Sequence, residues 1–170
     1  MAAETDDFMK RSSIVPTPIE WGVIVFGIWH SRDLIHAWRD SPRDHGGAII
    51  FGLWLLPLTF AWVQDRTVFG DGGQLRTRVS ILAIVTILAG AIGELNALVY
   101  CGLALAVTTG TFQRSIPLAL SWCLASVTWM PALSYATNAL PNTIVMTCKF
   151  GFVITVVLFL FIHFRKPSLT

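Results

Sequence analysis

Residues 79–109 read VSILAIVTILAGAIGELNALVYCGLALAVTT, an apolar stretch in which Glu94 is the only charged residue. One long helix through this stretch would hold the Glu94 carboxylate near the centre of a bilayer, where a charge is costly. Two shorter helices separated by a turn at residues 93–96 would place Glu94 and Asn96 at a membrane surface instead. The conformation of this stretch therefore decides how many times the chain crosses the membrane.

The rest of the chain has the same apolar character. Of its 170 residues, 54% are apolar and 13% are charged, and the mean hydropathy is +0.65. A soluble domain carries about 25% charged residues, so these charges are too few to cover a globule in water. The net charge is +2, with the basic residues scattered along the chain, which excludes nucleic acid as a partner. The lipid bilayer is the predicted solvent.

Six apolar runs follow one another along the sequence. They cover residues 18–38, 46–63, 76–93, 95–111, 115–136 and 142–164. Several are at the short end of the roughly 17–25 residues that a spanning helix needs. The runs predict an all-α, polytopic transmembrane bundle of about six helices over residues 18–166. Residues 1–17 form a polar N-terminal tail without the basic start of a signal peptide.

The distribution of basic residues favours six helices over five, because cytoplasmic loops are enriched in Lys and Arg. With six helices and the N-terminus inside, the inner set is Lys10, Arg11, Arg66, Arg76, Arg78, Arg114, Arg165 and Lys166, and the outer set is Arg32, Arg39, Arg43 and Lys149. Joining the middle pair into one helix moves three basic residues outside and removes the bias. We therefore predict a multi-pass protein of the bacterial inner membrane with both termini cytoplasmic.

Several prolines and tryptophans lie within the apolar runs. Pro57 and Pro131 lie inside apolar runs and are expected to bend them. The seven tryptophans indicate anchoring at the membrane surface and packing between helices. A pigment-binding bundle is the alternative interpretation.

Residues 31–47 read SRDLIHAWRDSPRDHGG and form the most polar segment between the runs. We predict a polar surface site on the periplasmic side, with the candidate residues His36, Arg39, Asp40, Arg43, Asp44 and His45. His45 beside Asp44 suits an acid–base pair, and Arg39 and Arg43 suit a carboxylate or a phosphate. The alternative is a solvated helix end, since adjacent helical residues point apart and exposed ion pairs are weak.

No metal site is predicted, because His30 and His36 are six residues apart and would not share a helical face. Lys149 lies inside the sixth run, where a lysine is expected to snorkel to the surface or to line a polar interior. The cysteines Cys101, Cys123 and Cys148 also lie in apolar runs, without a C-x-x-C pair. They are interpreted as buried thiols, and a catalytic thiolate lacks a nearby histidine in the sequence.

The pattern Trp38-x-Asp40-x-x-x-Asp44-His45-Gly46, followed by an apolar helix ending in Trp62-x-x-Asp65-Arg66, resembles the N-terminal part of the exosortase/archaeosortase family. Members of that family are polytopic membrane cysteine transpeptidases that process proteins with a C-terminal sorting helix. The later order of Tyr100-Cys101-Gly102-Leu103, Gly110, Arg114, Pro117-Leu118 and Met130-Pro131 is similar to the family's middle section.

The family's catalytic motifs do not occur in this chain. It has no Cys-Ser-Gly, no subsequent Asn-x-x-Arg segment and no histidine placed after them. The resemblance therefore implies the non-catalytic part of such a protein, and it assigns no catalytic residue.

Three hypotheses for function follow. The first is a non-catalytic structural or assembly subunit of an inner-membrane complex, with other membrane proteins as partners; a photosynthetic or respiratory complex would add pigment or haem contacts at His30 or His36. The second is an exosortase-like transpeptidase with an incomplete cysteine site. The third is a transporter or channel, for which Lys149 and Glu94 are the ionisable candidates. The sequence does not identify a cofactor.

Overall fold

The computed structural model describes residues 18–63, 74–109 and 116–165, and most of these residues are helical with no β-strand among them. The helices are α1 (Pro18–His30), α2 (Asp33–Asp40), α3 (Gly47–Val63), α4 (Gln74–Ile92), α5 (Asn96–Thr108), α6 (Ile116–Ala125), α7 (Pro131–Ala136) and α8 (Asn142–Arg165), with a 3₁₀ turn at Ser126–Thr128. The all-α prediction is confirmed. The predicted N-terminal tail lies outside the described residues.

Two of the described helices are long and apolar enough to cross a membrane. They are α4 and the part of α8 from Asn142 to His163. Helices α3, α5 and α6 are apolar but shorter. The composition and length of α4 and α8 support membrane association.

The stretch 79–109 forms two helices, as the distribution of basic residues predicted. Helix α4 ends at Ile92, and Glu94 adopts a left-handed conformation with φ of 55°, which costs a residue other than glycine about 1–2 kcal/mol. The N–H of Leu95 donates to the carbonyl of Gly90 over 2.8 Å and closes the turn. A Cβ atom added at Gly90 would lie 2.7 Å from the backbone nitrogen of Val99, so glycine allows α4 and α5 to approach closely.

Two of the six predicted runs are not continuous helices. The first ends at His30, and residues 33–40 form the separate helix α2. The fifth divides into α6, the 3₁₀ turn and α7. Pro131 was expected to bend a helix, but it begins α7 after an extended Met130. A proline fits the first helical position because its missing N–H has no partner there, and it disfavours helical geometry in the preceding residue.

Contacts divide the helices into two groups, and they show which helix ends lie at the same end of the bundle. Helices α1, α4 and α5 contact one another, α8 contacts both α3 and α6, and α5 contacts α6 to join the groups. Asn96 at the start of α5 donates to Asp33 at the start of α2 over 2.7 Å. The 93–95 turn therefore lies beside α2, at what we call the α2 end. The opposite end, which contains the start of α1, is the Glu20 end.

Tryptophans form the centre of the core. Trp54, Trp122 and Trp129 are fully buried, and the first two are joined by a reciprocal pair of hydrogen bonds. The Trp54 indole N–H donates to the Trp122 carbonyl over 2.8 Å, and the Trp122 indole N–H donates to the Trp54 carbonyl over 2.9 Å. These bonds fix α3 against α6 and give the indoles of Trp54 and Trp122 the polar partner that a buried indole favours.

Candidate functional site

The more deeply buried of the two ion pairs among the described residues joins Asp44 to Lys149 beside Ser134, and we call these three residues the Lys149 cluster. The Lys149 ammonium lies 2.8 Å from Asp44 Oδ1, and the two side chains are only 2% and 5% exposed. Ser134 Oγ donates to the same Asp44 oxygen over 2.5 Å and accepts from Lys149 Nζ over 2.8 Å. An acid, a base and a hydroxyl thus meet in one buried triangle at the α2 end.

Three separate parts of the chain supply these side chains. Asp44 lies in the turn between α2 and α3, Ser134 lies in α7, and Lys149 lies in the second turn of α8. Glycine brings the turn close to its neighbours, because a Cβ added at Gly46 would lie 3.1 Å from the ring of Phe150. A Cβ at Gly47 would collide with the ring of Trp38. The Asp-His-Gly-Gly segment is therefore shaped for close packing around the carboxylate.

The hydrogen bonds determine what the Lys149 cluster can do chemically. Lys149 also lies 3.4 Å from the carbonyl of Arg43, so its three N–H groups have three acceptors. The ammonium donates to Ser134, whereas a lysine acting as a general base would accept the proton of that hydroxyl. The geometry is that of a buried ion pair whose donors and acceptors have their hydrogen-bond partners within the protein.

The predicted surface site is divided by the structure. His36, Arg39, Asp40 and His45 are exposed, but Asp44 is only 4% exposed and faces the interior. Its inclusion in a surface site is therefore wrong. Asp44 is buried because it pairs with Lys149, which lies 105 positions later in the sequence. No local sequence pattern predicts a contact between residues so far apart. No hydrogen bond joins Asp44 to His45 among the described residues, so the structure does not bring that predicted acid–base pair together.

Arg43 binds other parts of the chain through its guanidinium. Its guanidinium donates to Asn138 Oδ1 over 2.8 Å, to the Asn138 carbonyl over 3.0 Å and to the Thr137 carbonyl over 3.3 Å. Trp38 makes a parallel tether, because its indole N–H donates to the carbonyl of Trp129 over 3.0 Å. The segment before α3 is therefore tied to the segment after α6 at two points that precede Asp44.

A second ion pair lies at the Glu20 end. Arg76 of α4 donates from Nε and Nη2 to the two carboxylate oxygens of Glu20 in α1, over 2.8 and 2.5 Å. Ser80 adds a longer bond of 3.3 Å to the same carboxylate. We call Glu20 and Arg76 the Glu20 pair. This bidentate arrangement joins α1 to α4 and has the geometry that arginine and carboxylate favour.

The other candidate ligands and nucleophiles are scattered. Cys101 and Cys148 are exposed and Cys123 is half-buried, so the prediction of buried thiols is wrong for the first two. They lie on the outer faces of α5 and α8. His30 Nδ1 lies 3.1 Å from the Phe26 carbonyl, within its own helix. Among the described residues, no three His, Cys, Asp or Glu side chains converge to hold a metal ion.

Sequence reasoning missed Ser134, Asn138 and both ion pairs. One signal was available for the Lys149 cluster: a lysine in an apolar helix needs a partner, and the predicted topology places Lys149 and Asp44 on the same side. Ser134 carries no comparable signal, because serines occur throughout the runs.

The chain was compared with known proteins. No protein-family model, curated protein or solved structure matches it.

Proposed function

We propose that this chain is a six-span protein of the bacterial inner membrane and a non-catalytic structural or assembly subunit of a larger membrane complex. One observation carries the proposal. The charged side chains that are buried among the described residues are Glu20, Asp44 and Lys149, and each bridges two helical segments. Charges that serve catalysis or transport must meet a substrate or an ion, whereas Asp44 and Lys149 are paired with each other and Glu20 is paired with Arg76.

The outer faces of the helices support a lipid environment. Large apolar side chains are exposed on long and short helices alike, including Ile19, Val25, Ile81, Val85, Ile116, Leu124, Leu158 and Ile162. Apolar surface this extensive favours aggregation in water. In lipid it needs no cover, because acyl chains are as apolar as the side chains.

The proposed spans are α1, α3, α4, α5, the segment from α6 to α7, and α8. Contacts at the α2 end support an up-and-down order, since the ends of α1 and α4 and the starts of α3, α5 and α8 all lie there. Helices α1 and α5 have 13 residues each, or roughly 20 Å of rise. A bilayer core is about 30 Å thick, so we expect the membrane to be thinned locally around them.

Cysteine labelling in whole cells tests the topology. The three natural cysteines are first replaced by alanine, and single cysteines are then introduced as Glu94→Cys, Asn138→Cys and Gln74→Cys. We expect a membrane-impermeant maleimide to label the first two in intact cells and the third only after lysis. Equal protection of Glu94→Cys and Gln74→Cys would contradict six spans with an outer 93–95 turn.

Native electrophoresis tests the subunit role. The tagged chain is extracted from its own membrane with a mild detergent and its mass is determined together with its co-purifying proteins. We expect a discrete assembly larger than the 18.8 kDa chain, with at least one other membrane protein in fixed proportion. Migration as a lone monomer under several mild detergents would contradict the role.

A further inference from the structure

Helix α2 presents one face to the core and an opposite face that the described residues leave uncovered. Leu34 is buried and Trp38 is half-buried on the inner side. Arg32, His36 and Arg39 are exposed, and their spacing of four and three residues places them on one side of the helix. Neither His36 nor Arg39 has a hydrogen-bond or ion-pair partner among the described residues, so this outer face carries basic groups free to bind a ligand.

Apolar side chains border this basic face. Ile35 of α2 is 65% exposed, and Trp29 at the end of α1 is 62% exposed. The Arg32 guanidinium lies 3.4 Å from the centre of the Trp29 ring, a stacked cation–π contact. Tryptophan and arginine side by side are typical of the boundary between acyl chains and phosphate groups, where the ring sits at headgroup level and the cation reaches outward.

Two acidic residues of α2, Asp33 and Asp40, lie to the side of this basic face. Asp33 accepts a hydrogen bond from Asn96, which holds its carboxylate against the start of α5. Asp40 is exposed at the end of α2, toward one side of the face. The centre of the face, between Arg32 and Arg39, is therefore basic.

We propose that the outer face of α2 binds phospholipid phosphate groups at the outer surface of the membrane. Arg32 and Arg39 contact the phosphates, while Ile35 and Trp29 lie among the upper acyl carbons. The inference rests on the proposed membrane topology, which puts α2 on the outer side. Interfacial helices of this amphipathic kind bind through buried apolar area and attraction to anionic lipids together. Such binding would fix the depth of the α2 end in the bilayer.

Lipid titration of the full chain tests the phosphate contacts. Purified protein in detergent is titrated with phosphatidylglycerol, and bound lipid is counted by native mass spectrometry. Each arginine near an anionic surface contributes about fivefold to affinity, so we expect the double variant Arg32→Gln/Arg39→Gln to bind roughly 25-fold more weakly. Asp40→Asn is the matched control on the same helix, and it should bind at least as tightly as the unaltered chain.

Unchanged lipid affinity in the arginine double variant would overturn the proposal. Loss of a co-purifying protein in that variant, with lipid affinity unchanged, would assign the face to a protein partner instead and would also overturn it. An equal loss in Asp40→Asn would show that the arginines have no special role.

A depth measurement separates this inference from the topology on which it rests. Environment-sensitive fluorophores at Ile35→Cys and at Ile154→Cys in α8 are quenched by lipids brominated along the acyl chain, in vesicles containing phosphatidylglycerol. We expect quenching of both, with position 35 most sensitive to bromines near the headgroup. Quenching only at position 154 would refute the α2 inference and leave the membrane topology standing. Quenching at neither position would refute the topology itself.

Discussion

The Lys149 cluster and the Glu20 pair each join an acid to a base, and in each a serine bonds to the carboxylate. They differ in how deeply the charges are buried and in how many segments of the chain they join. The acid and base side chains are 2–5% exposed in the Lys149 cluster and 11–14% exposed in the Glu20 pair. The serine bonds to the carboxylate over 2.5 Å in the first and 3.3 Å in the second. The first joins three segments of the chain, and the second joins two helices.

The difference shows how burial changes the consequences of losing a partner. A buried ion pair is a weak source of net stability, because desolvation offsets the attraction between the charges. Removal of one member is nevertheless costly, since the other is left as an uncompensated charge. At the Glu20 end, water reaches the remaining charge more easily. The two sites should therefore respond differently to equivalent substitutions.

Removal of the base gives the largest expected contrast. Lys149→Met should lower the free energy of unfolding by about 3–5 kcal/mol, because it leaves Asp44 buried and unpaired. Arg76→Met should cost about 1–3 kcal/mol, the penalty for an incompletely satisfied polar group. Denaturant titration in mixed micelles, followed by helical circular dichroism, measures both. Equal losses would mean that burial does not distinguish the sites.

Exchange of the two charges tests the geometry of each site. Glu20→Arg/Arg76→Glu should recover most of the stability lost by either single variant, because the two short bonds of the Glu20 pair join only these two side chains. Asp44→Lys/Lys149→Asp should not recover, since Ser134 and the Arg43 carbonyl are placed for an ammonium on α8. Thermal unfolding of the single and exchanged variants in one detergent checks this. Full recovery at the Lys149 cluster would show that its other hydrogen bonds contribute little.

The serines provide a smaller comparison with matched chemistry. Ser134→Ala should cost about 1–3 kcal/mol, because it leaves one Lys149 donor without its acceptor in a buried site. Ser80→Ala should cost less than about 0.5 kcal/mol, since the Ser80 bond is long and the Glu20 pair keeps both arginine bonds. The same micelle titration measures both variants. A larger loss for Ser80→Ala would reverse the ranking of the two sites.

Salt should produce the smallest contrast. Raising the ionic strength from 0.1 to 1 M shortens the Debye length from about 10 Å to about 3 Å, and buried pairs are screened much less than exposed ones. The destabilisation caused by Arg76→Met should therefore shrink with salt, while that of Lys149→Met should stay constant. Repeating the unfolding titrations at both salt concentrations gives the two slopes.

Local patterns predicted much of the helical architecture. The carboxylate of Glu94 and the distribution of arginines predicted the turn between α4 and α5, since the cost of a charge in lipid acts on single residues. The same logic predicted that Lys149 would either snorkel to the surface or line a polar interior, and the structure shows the second. The separate helix α2 was not predicted, because Ile35 and Trp38 continue the apolar spacing of the first run.

The candidate site could be predicted only in part, because its contacts join distant segments. The Asp-His-Gly-Gly segment was recognised as distinctive, but its aspartate was assigned to the surface. The pairing of Asp44 with Lys149 depends on how the helices are arranged, and the residues next to either one in the sequence do not indicate it. Asn138, which holds Arg43, and Trp122, which holds Trp54, likewise accept from side chains more than sixty positions away.

A double-mutant cycle on Asp44 and Lys149, with the native assembly measured alongside stability, tests most directly whether the Lys149 cluster serves the fold. We expect that Asp44→Asn and Lys149→Met each destabilise the chain, that the double variant loses less stability than the sum of the two, and that loss of the assembly follows loss of stability. Full stability in Lys149→Met together with loss of the cellular role would contradict this expectation, because the cluster would then act on a substrate or an ion and not on the fold.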